Sequence, residues 1–152
     1  MKRRFPGGFS LVEVALALGV AAFCLLAVFA LLPVGLKTQQ MAIEQTAANR
    51  IVSAVIADLR CTPPTATSSP AFAITIPSNT AGSSSTLFYD NEGHSSVTLD
   101  ANSRYQLTIT FAPNGTGGRA ATLAHLIVTW PAAATPANAA GSSETFVALD
   151  RN

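Results

Sequence analysis

Charged side chains are scarce in this sequence. Only 11% of its 152 residues are Asp, Glu, Lys or Arg and 49% are hydrophobic, whereas an ordinary soluble domain is about 25% charged. The formal net charge is +1, so no basic excess indicates binding to nucleic acid and no acidic excess indicates a store of cations. The composition argues against a wholly disordered chain and predicts that part of it lies in a membrane.

Cysteine and histidine are rare as well. Cys24 and Cys61 lie 37 residues apart, about 55 Å if the interval is helical, so we expect no bridge between them. Cys61 is expected to be a free thiol or to pair with another protein, and Cys24 to act as a small apolar side chain. No spacing of cysteine with His94 or His125 fits a zinc site.

The sequence motifs of common enzymes are missing too. The chain has no P-loop, no G-x-S-x-G elbow and no dinucleotide-binding fingerprint. Asp90–Gly93 is acidic but lacks the spacing of an EF-hand calcium loop. His125 lies in an apolar pattern typical of a structural residue, and His94 follows a turn where solvent would surround it. We therefore expect no enzymatic activity, no metal and no cofactor.

A long apolar run dominates the N-terminal part of the chain. Val14–Leu36 contains no charge, and Phe9–Leu36 contains only Glu13. A membrane-spanning helix needs about 20 apolar residues, so this run is long enough to cross a bilayer. Residues 2–4 are all basic, and the first charge beyond the run is Lys37. The positive-inside rule therefore predicts a cytoplasmic N-terminus and an exported C-terminal part.

This apolar run has two alternative roles. Ala27–Ala30 resembles a signal-peptidase site, and cleavage there would release a soluble domain that starts at Leu31. The run is longer than the roughly 7–15 residues of a secretory signal, however, and Glu13 inside it needs a compensating partner. The second alternative is a single-pass anchor for an exported binding module that is neither processed nor assembled. An exported enzyme would need a polar cluster that the sequence lacks.

The segment Gly8–Val14 resembles the processing site of the type IV pilin and pseudopilin family. In that family a short basic leader ends in glycine, a hydrophobic residue, usually Phe, follows, and Glu stands at the fifth mature position. The sequence matches this pattern at Gly8, Phe9 and Glu13, and the resemblance extends over about residues 1–60. More narrowly, Leu31–Leu36 and Val128–Pro131 resemble segments of the pseudopilin-like proteins of verrucomicrobial gene cassettes.

The resemblance implies a role for each matching residue. A prepilin peptidase would cut between Gly8 and Phe9 on the cytoplasmic side, and the new amino group of Phe9 would be N-methylated. Glu13 lies about one helical turn further on, so the two charges could pair within the chain or between neighbouring subunits during assembly. The alternative for Glu13 is an interfacial acid that the positive end of the helix dipole tolerates.

The same resemblance implies a cellular setting. The chain would be a structural subunit in the bacterial inner membrane, with its C-terminal domain in the periplasm or in a periplasmic or surface filament. Its partners would be the lipid bilayer, a prepilin peptidase, other pilin-like subunits and an inner-membrane assembly platform. The sequence does not distinguish a pilus from a secretion pseudopilus or a DNA-uptake filament.

Pro33 and Gly35 fall near the outer end of the apolar run. Proline removes a helical hydrogen bond and glycine adds flexibility, which predicts a helix kink at the membrane exit. The resemblance offers another interpretation, because pilin helices can loosen near a proline when they pack in a filament.

The whole pattern predicts an α+β fold in which one long N-terminal helix packs on a small antiparallel sheet, as in pilins. Its predicted segments are a leader (1–8), a transmembrane and assembly helix (9–36), an amphipathic exported helix half (37–61) and a β-rich domain (62–152). The amphipathic half carries an apolar stripe, and Thr62–Pro64 should end it. The stripe consists of Ala48, Ile51, Val52, Val55, Ile56 and Leu59.

Alternation of apolar and polar residues predicts the strands of that domain. After a Thr/Ser/Pro linker at Thr62–Pro70, the candidates are Phe72–Ile76, Thr86–Tyr89, Ser96–Leu99, Tyr105–Phe111, Leu123–Trp130 and Glu144–Leu149. The predicted connections are a turn at Asp90–Gly93, a glycine-rich loop at Asn114–Gly118 and an irregular loop at Pro131–Ser143.

Overall fold

The computed structural model describes residue 8 and residues 10–77, 82–113 and 122–150. The chain divides into two compact units, Met1–Gln40 and Met41–Asn152. Its elements are α1 (Leu11–Cys61), β1 (Ser83–Tyr89), β2 (Ser95–Ser96), β3 (Tyr105–Phe111), β4 (Thr122–Trp130) and β5 (Gly141–Leu149), with a short 3₁₀ helix at Pro136–Asn138. The fold belongs to the α+β class that the sequence predicts. The loop expected at Asn114–Gly118 lies outside the described residues.

The first unit contains the apolar part of α1. The large apolar side chains between Leu11 and Leu36 are 47–85% exposed, so nothing within the described chain covers them. The helix satisfies its own backbone hydrogen bonds, which is what a segment in lipid requires. By length and composition it is suited to cross a membrane, and none of its most apolar window is buried.

Pro33 and Gly35 lie inside α1, which continues through both residues to Cys61. Proline has no N–H to donate to the carbonyl of Phe29, one turn earlier. Just beyond it, the Thr38 hydroxyl donates to the carbonyl of Val34 at 2.9 Å. Pro33 therefore leaves a local gap in the backbone hydrogen bonding without ending the helix.

The second unit is built on the remaining part of α1 and the sheet. Here α1 buries the stripe that the sequence predicts, with Val55 and Ala48 fully buried and Ile56 half-buried. The helix ends at Cys61, immediately before Thr62–Pro64 as predicted. The Thr62 hydroxyl donates to the carbonyl of Asp58 at 2.8 Å, which satisfies one of the last helical carbonyls.

The sheet has five antiparallel strands in the order β2-β1-β3-β4-β5. β3 agrees with the predicted Tyr105–Phe111, and its side chains alternate between the core and the outer face. β4 and β5 pair along nine residues, from Thr122↔Leu149 to Trp130↔Gly141, and β5 forms one edge of the sheet. The inner face carries most of the core: Leu87, Tyr89, Tyr105, Leu107, Ile109, Phe111, Ala124, Leu126, Val128, Trp130, Val147 and Leu149.

Several predicted boundaries differ from the structure. β1 starts three residues before the expected Thr86, β5 starts at Gly141 instead of Glu144, and β2 covers only Ser95–Ser96. Serine-rich sequence does not show the apolar alternation that identifies a strand, so pairing with β3 and β4 extends both longer strands beyond their visible pattern. β2 ends early because the Ser96 hydroxyl turns to the carbonyl of Thr98 at 2.9 Å.

The predicted strand at Phe72–Ile76 is wrong. This segment folds back on the preceding residues through a single bridge, Ser68↔Thr75, and is not a strand of the sheet. Its turn contains Ala73 at φ 51°, in the left-handed region. Ile74 and Ile76 are nevertheless buried in the core. The alternation of apolar and polar residues places both side chains in the core although the segment does not pair as a strand. The preceding Thr/Ser/Pro segment is also packed more tightly than a linker, with Ser69 only 3% exposed.

One buried carboxylate holds this turn against α1. Asp58 is 8% exposed, and its Oδ1 and Oδ2 accept the backbone N–H groups of Ala71 at 3.0 Å and Phe72 at 3.2 Å. Burial and then the charge of Asp58 raise the pKa of Tyr89 well above its ordinary value of 10.0. The carboxylate therefore supplies a partner for each of two adjacent, partly buried backbone amides.

We expect Asp58→Asn to lower the free energy of unfolding by about 2 kcal/mol, because the amide NH₂ of asparagine would face one of the two backbone donors. Urea unfolding of the full chain in detergent would measure this through the fluorescence of Trp130, the single tryptophan, which is 5% exposed. The control is Asp100→Asn, at an exposed carboxylate whose Oδ1 contacts asparagine reproduces. An unchanged midpoint for Asp58→Asn would contradict this account.

The end of the β4–β5 ladder depends on a glycine. A Cβ at Gly141 would lie 2.5 Å from Cε2 and 2.8 Å from Nε1 of Trp130, distances that real carbon contacts do not reach. The indole also meets the ring of Tyr105 edge-on, with centroids 6.2 Å apart. The side chain of Trp130 therefore occupies the space that a Cβ at position 141 would need.

Gly141→Ala is expected to destabilise the second unit by about 1–3 kcal/mol through overpacking. The same Trp130 fluorescence assay measures this, and a change in the emission of the folded protein should accompany it. Ser142→Ala, at the exposed next position of β5, is the matched control and should unfold like the unmodified chain. Equal stability of the two variants would show that the indole is free to shift.

Candidate functional site

The predicted processing segment lies at the start of α1. Gly8 is exposed, and a side chain there would meet nothing within 4 Å. Glu13 is exposed in the first turn of the helix, where free backbone N–H groups create the positive end of the helix dipole. Phe9 lies outside the described residues. The two described positions are therefore accessible, and the acid stands where a helix start stabilises it.

A second polar feature is the turn between β1 and β2. The Asp90 Oδ1 accepts three successive backbone N–H groups, from Glu92 at 2.9 Å, Gly93 at 2.7 Å and His94 at 2.9 Å. Gly93 has φ 94°, which glycine adopts without strain. The expected turn at Asp90–Gly93 is thus confirmed, and its shape depends on one carboxylate oxygen.

The other oxygen of Asp90 pairs with an imidazole. Asp90 Oδ2 lies 3.0 Å from Nδ1 of His94, and Glu92 Oε2 lies 3.5 Å from the same nitrogen. The hydrogen bond to Asp90, with the charges of both acids, raises the pKa of His94 above 6.5. The bond to His94, reinforced by the backbone N–H groups, lowers the pKa of Asp90 below 3.8. His94 is exposed, as the sequence predicts, but it is not free.

Among the described residues, these three side chains form a set that could hold a metal ion, with ligand atoms within 4.8 Å of one another. A metal would need an unprotonated imidazole nitrogen, whereas the two carboxylates favour the protonated form of His94. The hydrogen bonds of Asp90 already account for the geometry, and the arrangement favours an ion pair.

An open cleft of about 550 Å³ lies beside this turn. Its polar wall also includes the loop that precedes β3, where Asp100 Oδ1 accepts the N–H of Asn102 at 2.9 Å. At the cleft, Arg104 forms an ion pair with Glu44 of α1. The lining residues are Asp90, Asn91, Glu92, Ala101, Asn102, Ser103 and Arg104. The cleft is therefore acidic on one side and connected to the helix on the other.

The second histidine lies on the outer face of the sheet. His125 stacks on Phe146 with ring centroids 4.3 Å apart and planes 6° apart, and it hydrogen-bonds to Glu144. Phe146 is 68% exposed. These contacts join β4 to β5, which fits the structural role expected of His125. Both cysteines are free and exposed, so the predicted absence of a Cys24–Cys61 bridge holds in the structure.

Sequence reasoning missed the contacts that depend on tertiary structure. Glu44 and Arg104 are 60 residues apart, and no local pattern indicates that they meet. Asp58 did leave a signal, because it interrupts the apolar stripe between Val55 and Leu59. An acid at such a position is either a break in the stripe or a buried acceptor, and the structure shows the second.

The His94–Asp90 pair should make the turn sensitive to pH. A raised His94 pKa means that the pair stabilises the folded turn below the ordinary pKa of histidine and is lost as pH rises through the raised value. On the acid side, the contribution of Asp90 is lost as pH falls through its lowered pKa. The pair is therefore complete between these two limits.

An NMR titration of His94 would test this expectation. In Asp90→Asn, the amide oxygen can still accept the three backbone N–H groups, while the ion pair is lost. We expect the His94 pKa to fall toward 6.5 in this variant, and to stay raised in Asp100→Asn. A His94 pKa that does not respond to Asp90→Asn would exclude the pairing.

Among the described residues, the candidate polar groups lie at the start of α1 and around the Asp90–His94 turn. Neither group brings together a nucleophile, a base and an oxyanion donor among the described residues, which is the set that hydrolytic chemistry would require. Comparison of the chain with protein-family models, with curated proteins and with solved structures finds no match.

Proposed function

We propose that this chain is a pilin-like structural subunit, a pseudopilin or minor pilin. A prepilin peptidase removes residues 1–8, the amino group of Phe9 is N-methylated, and the subunit assembles through α1 into a type IV pilus-like or type II secretion-like filament. The subunit acts by assembly and not by catalysis.

The observation that carries this proposal is the exposure of the apolar part of α1. Its large side chains between Leu11 and Leu36 are at least 47% exposed. Burying one such side chain is worth about 1.5–3 kcal/mol, so the segment requires lipid or the helices of other copies around it. A filament subunit uses both environments in turn, first the bilayer and then the bundle of packed helices.

The continuity of α1 supports the same proposal. The helix runs from the apolar segment into the stripe that packs on the sheet, without a break at Ala30 or Pro33. One element thus combines a membrane-seeking part with a part that carries the β-rich domain. A secretory signal cut after Ala30 would divide this helix in the middle.

The free-energy cost of placing the Glu13 carboxylate in a membrane supports an assembly role. A carboxylate in hydrocarbon costs several kcal/mol unless it is paired. After cleavage, the amino group of Phe9 supplies a cation about one helical turn away. Pairing with the amino terminus of a neighbouring subunit would remove the cost for both charges and align the subunits in register.

The proposed setting is the bacterial inner membrane, crossed once. The basic leader keeps the N-terminus in the cytoplasm, and the second unit lies in the periplasm or in a filament. The partners are the bilayer, the prepilin peptidase, the other pilin-like subunits and the assembly platform in the inner membrane.

The N-terminus of the protein from its native cells tests the proposal. Mass spectrometry should find a chain that starts at Phe9 and carries one methyl group, about 14 Da. Gly8→Val should block this cleavage without disturbing the fold, since a side chain at Gly8 meets nothing within 4 Å. Gly7→Ala, at the preceding glycine, is the matched control and should be processed.

Other N-termini would overturn the proposal. An intact Met1 in membrane fractions would identify the anchored binding module instead, and a soluble chain starting at Leu31 would identify a secreted domain. Glu13→Gln separates the two steps, because it keeps the size of the side chain. We expect normal processing with strongly reduced filament incorporation.

A further inference from the structure

The first turns of α1 in the second unit lie outside the apolar core. The buried core cluster takes its first helical residue at Ala48, and Ala47 packs against that cluster. Upstream of these two alanines, Met41 is 54% exposed and Ile43 is 59% exposed. Burial of apolar side chains therefore holds α1 to the sheet only from Ala47 onward. The preceding helical segment, Met41–Thr46, must be held there by something else.

A single residue of this segment reaches another element. The side chain of Glu44 is 19% exposed and forms an ion pair with Arg104. Its two neighbours bond within the helix, the amide of Gln45 to Asn49 and the hydroxyl of Thr46 to a carbonyl one turn earlier. Among the described residues, the Glu44–Arg104 ion pair is thus the polar contact that connects this segment to the rest of the second unit.

The arginine of this pair is held in a fixed position. The N–H of Arg104 donates to the carbonyl of Tyr89 at 2.7 Å, and its carbonyl accepts the N–H of Ala132 at 2.9 Å. The next residue, Tyr105, is 3% exposed and meets the ring of Trp130 edge-on. Because the backbone of Arg104 is bonded on both sides and followed by a packed aromatic ring, breaking the ion pair would free the helical segment and not the arginine.

The two ways of holding α1 differ in strength. Beyond Ala48, the helix buries Ile51, Val52, Val55 and Leu59, each at most 7% exposed, and apolar burial adds up along such a stripe. An ion pair contributes little when water reaches it, and 47% of the Arg104 side chain is exposed. The helical segment before Ala47 should therefore separate from the sheet far more often than the stripe does.

We propose that the Glu44–Arg104 ion pair is a latch that decides at which residue α1 leaves the sheet. With the latch closed, the docked part of the helix begins at Glu44. With the latch open, Met41–Thr46 separates from the sheet as an intact helix, and the docked part begins at Ala47, about 5 Å further along the axis. This inference concerns only the second unit, so it goes beyond the proposed function and does not depend on it.

Pulsed electron paramagnetic resonance on the full chain in detergent tests the latch. Cys24→Ala and Cys61→Ala remove the two exposed thiols, so that spin labels attach only at introduced cysteines. One pair of labels is placed at Ile43→Cys in the helical segment and at Thr110→Cys on β3, both at exposed positions. The distribution of distances between the two labels reports whether the segment stays on the sheet.

A second pair of labels provides the internal reference. It keeps Thr110→Cys and moves the helix label to Ala54→Cys, an exposed position within the docked part of α1. Arg104→Gln should broaden the Ile43–Thr110 distribution about twofold and leave the Ala54–Thr110 distribution unchanged. An unchanged Ala54–Thr110 distribution also verifies that the variant is folded with its stripe docked.

Three further measurements examine whether the effect belongs to the ion pair. Glu44→Gln should broaden the Ile43–Thr110 distribution as much as Arg104→Gln does, and combining the two should add nothing. Arg50→Gln is the matched control, because Arg50 is exposed on α1 and forms no ion pair among the described residues. Raising the salt concentration should broaden the distribution in the unmodified chain, since salt screens exposed charges.

The opposite results would overturn the proposal. An Ile43–Thr110 distribution that stays narrow in Arg104→Gln would show that other contacts hold the segment. Broadening of both distributions would show that the ion pair holds the whole helix and not its first turns. A distribution that does not respond to salt would overturn the electrostatic basis. None of these results changes with the N-terminus of the native chain, so the latch and the proposed function can fail separately.

Discussion

The architecture of the described chain depends on how one helix buries its apolar residues. In its N-terminal part, α1 has apolar residues all around, and in its C-terminal part it has a single apolar stripe. The first pattern requires a surrounding apolar medium, whereas the second requires only one packed face. The β-sheet supplies that face through Leu107, Ile109, Leu126 and Val128, all fully buried. Without the sheet, α1 would be exposed along its whole length. The sheet therefore covers one segment of the helix.

The fold class and the best-defined elements could be predicted because their signals are local. β3 alternates strictly, and α1 combines a long uncharged run with a periodic stripe that ends before two prolines. The extent of β1 and β5 could not be read in the same way, because serine and threonine carry little information about the face on which they lie. Phe72–Ile76 alternates like a strand, but Asp58 holds the amides of Ala71 and Phe72 in a turn. The local pattern thus predicts which residues are buried more reliably than it predicts the backbone hydrogen bonds that those residues form.

The candidate sites likewise divide into those with a local sequence signal and those that join separate elements. Gly8, Phe9 and Glu13 are neighbours in sequence, so a short motif is enough to select them. The pairing of Glu44 with Arg104, the cleft beside Asp90 and the stacking of His125 on Phe146 all join separate elements. Sequence order could not place these groups together, since each pair depends on the register of strands or on the face of α1. The position of Asp58 within an apolar stripe was the one visible trace of such a contact.

The order of the strands has a consequence for how the second unit forms. The four long strands β1, β3, β4 and β5 lie side by side in the order in which they follow one another along the chain. The short β2 lies at the edge of the sheet beside β1. The pairings between the long strands join residues 11 (Trp130↔Gly141) to 28 (Ser83↔Phe111) positions apart. The docking of α1 is different, because contacts such as that between Asn49 and Ser143 join residues 94 positions apart. The loop-closure entropy of docking α1 is therefore larger than that of pairing any two of the long strands.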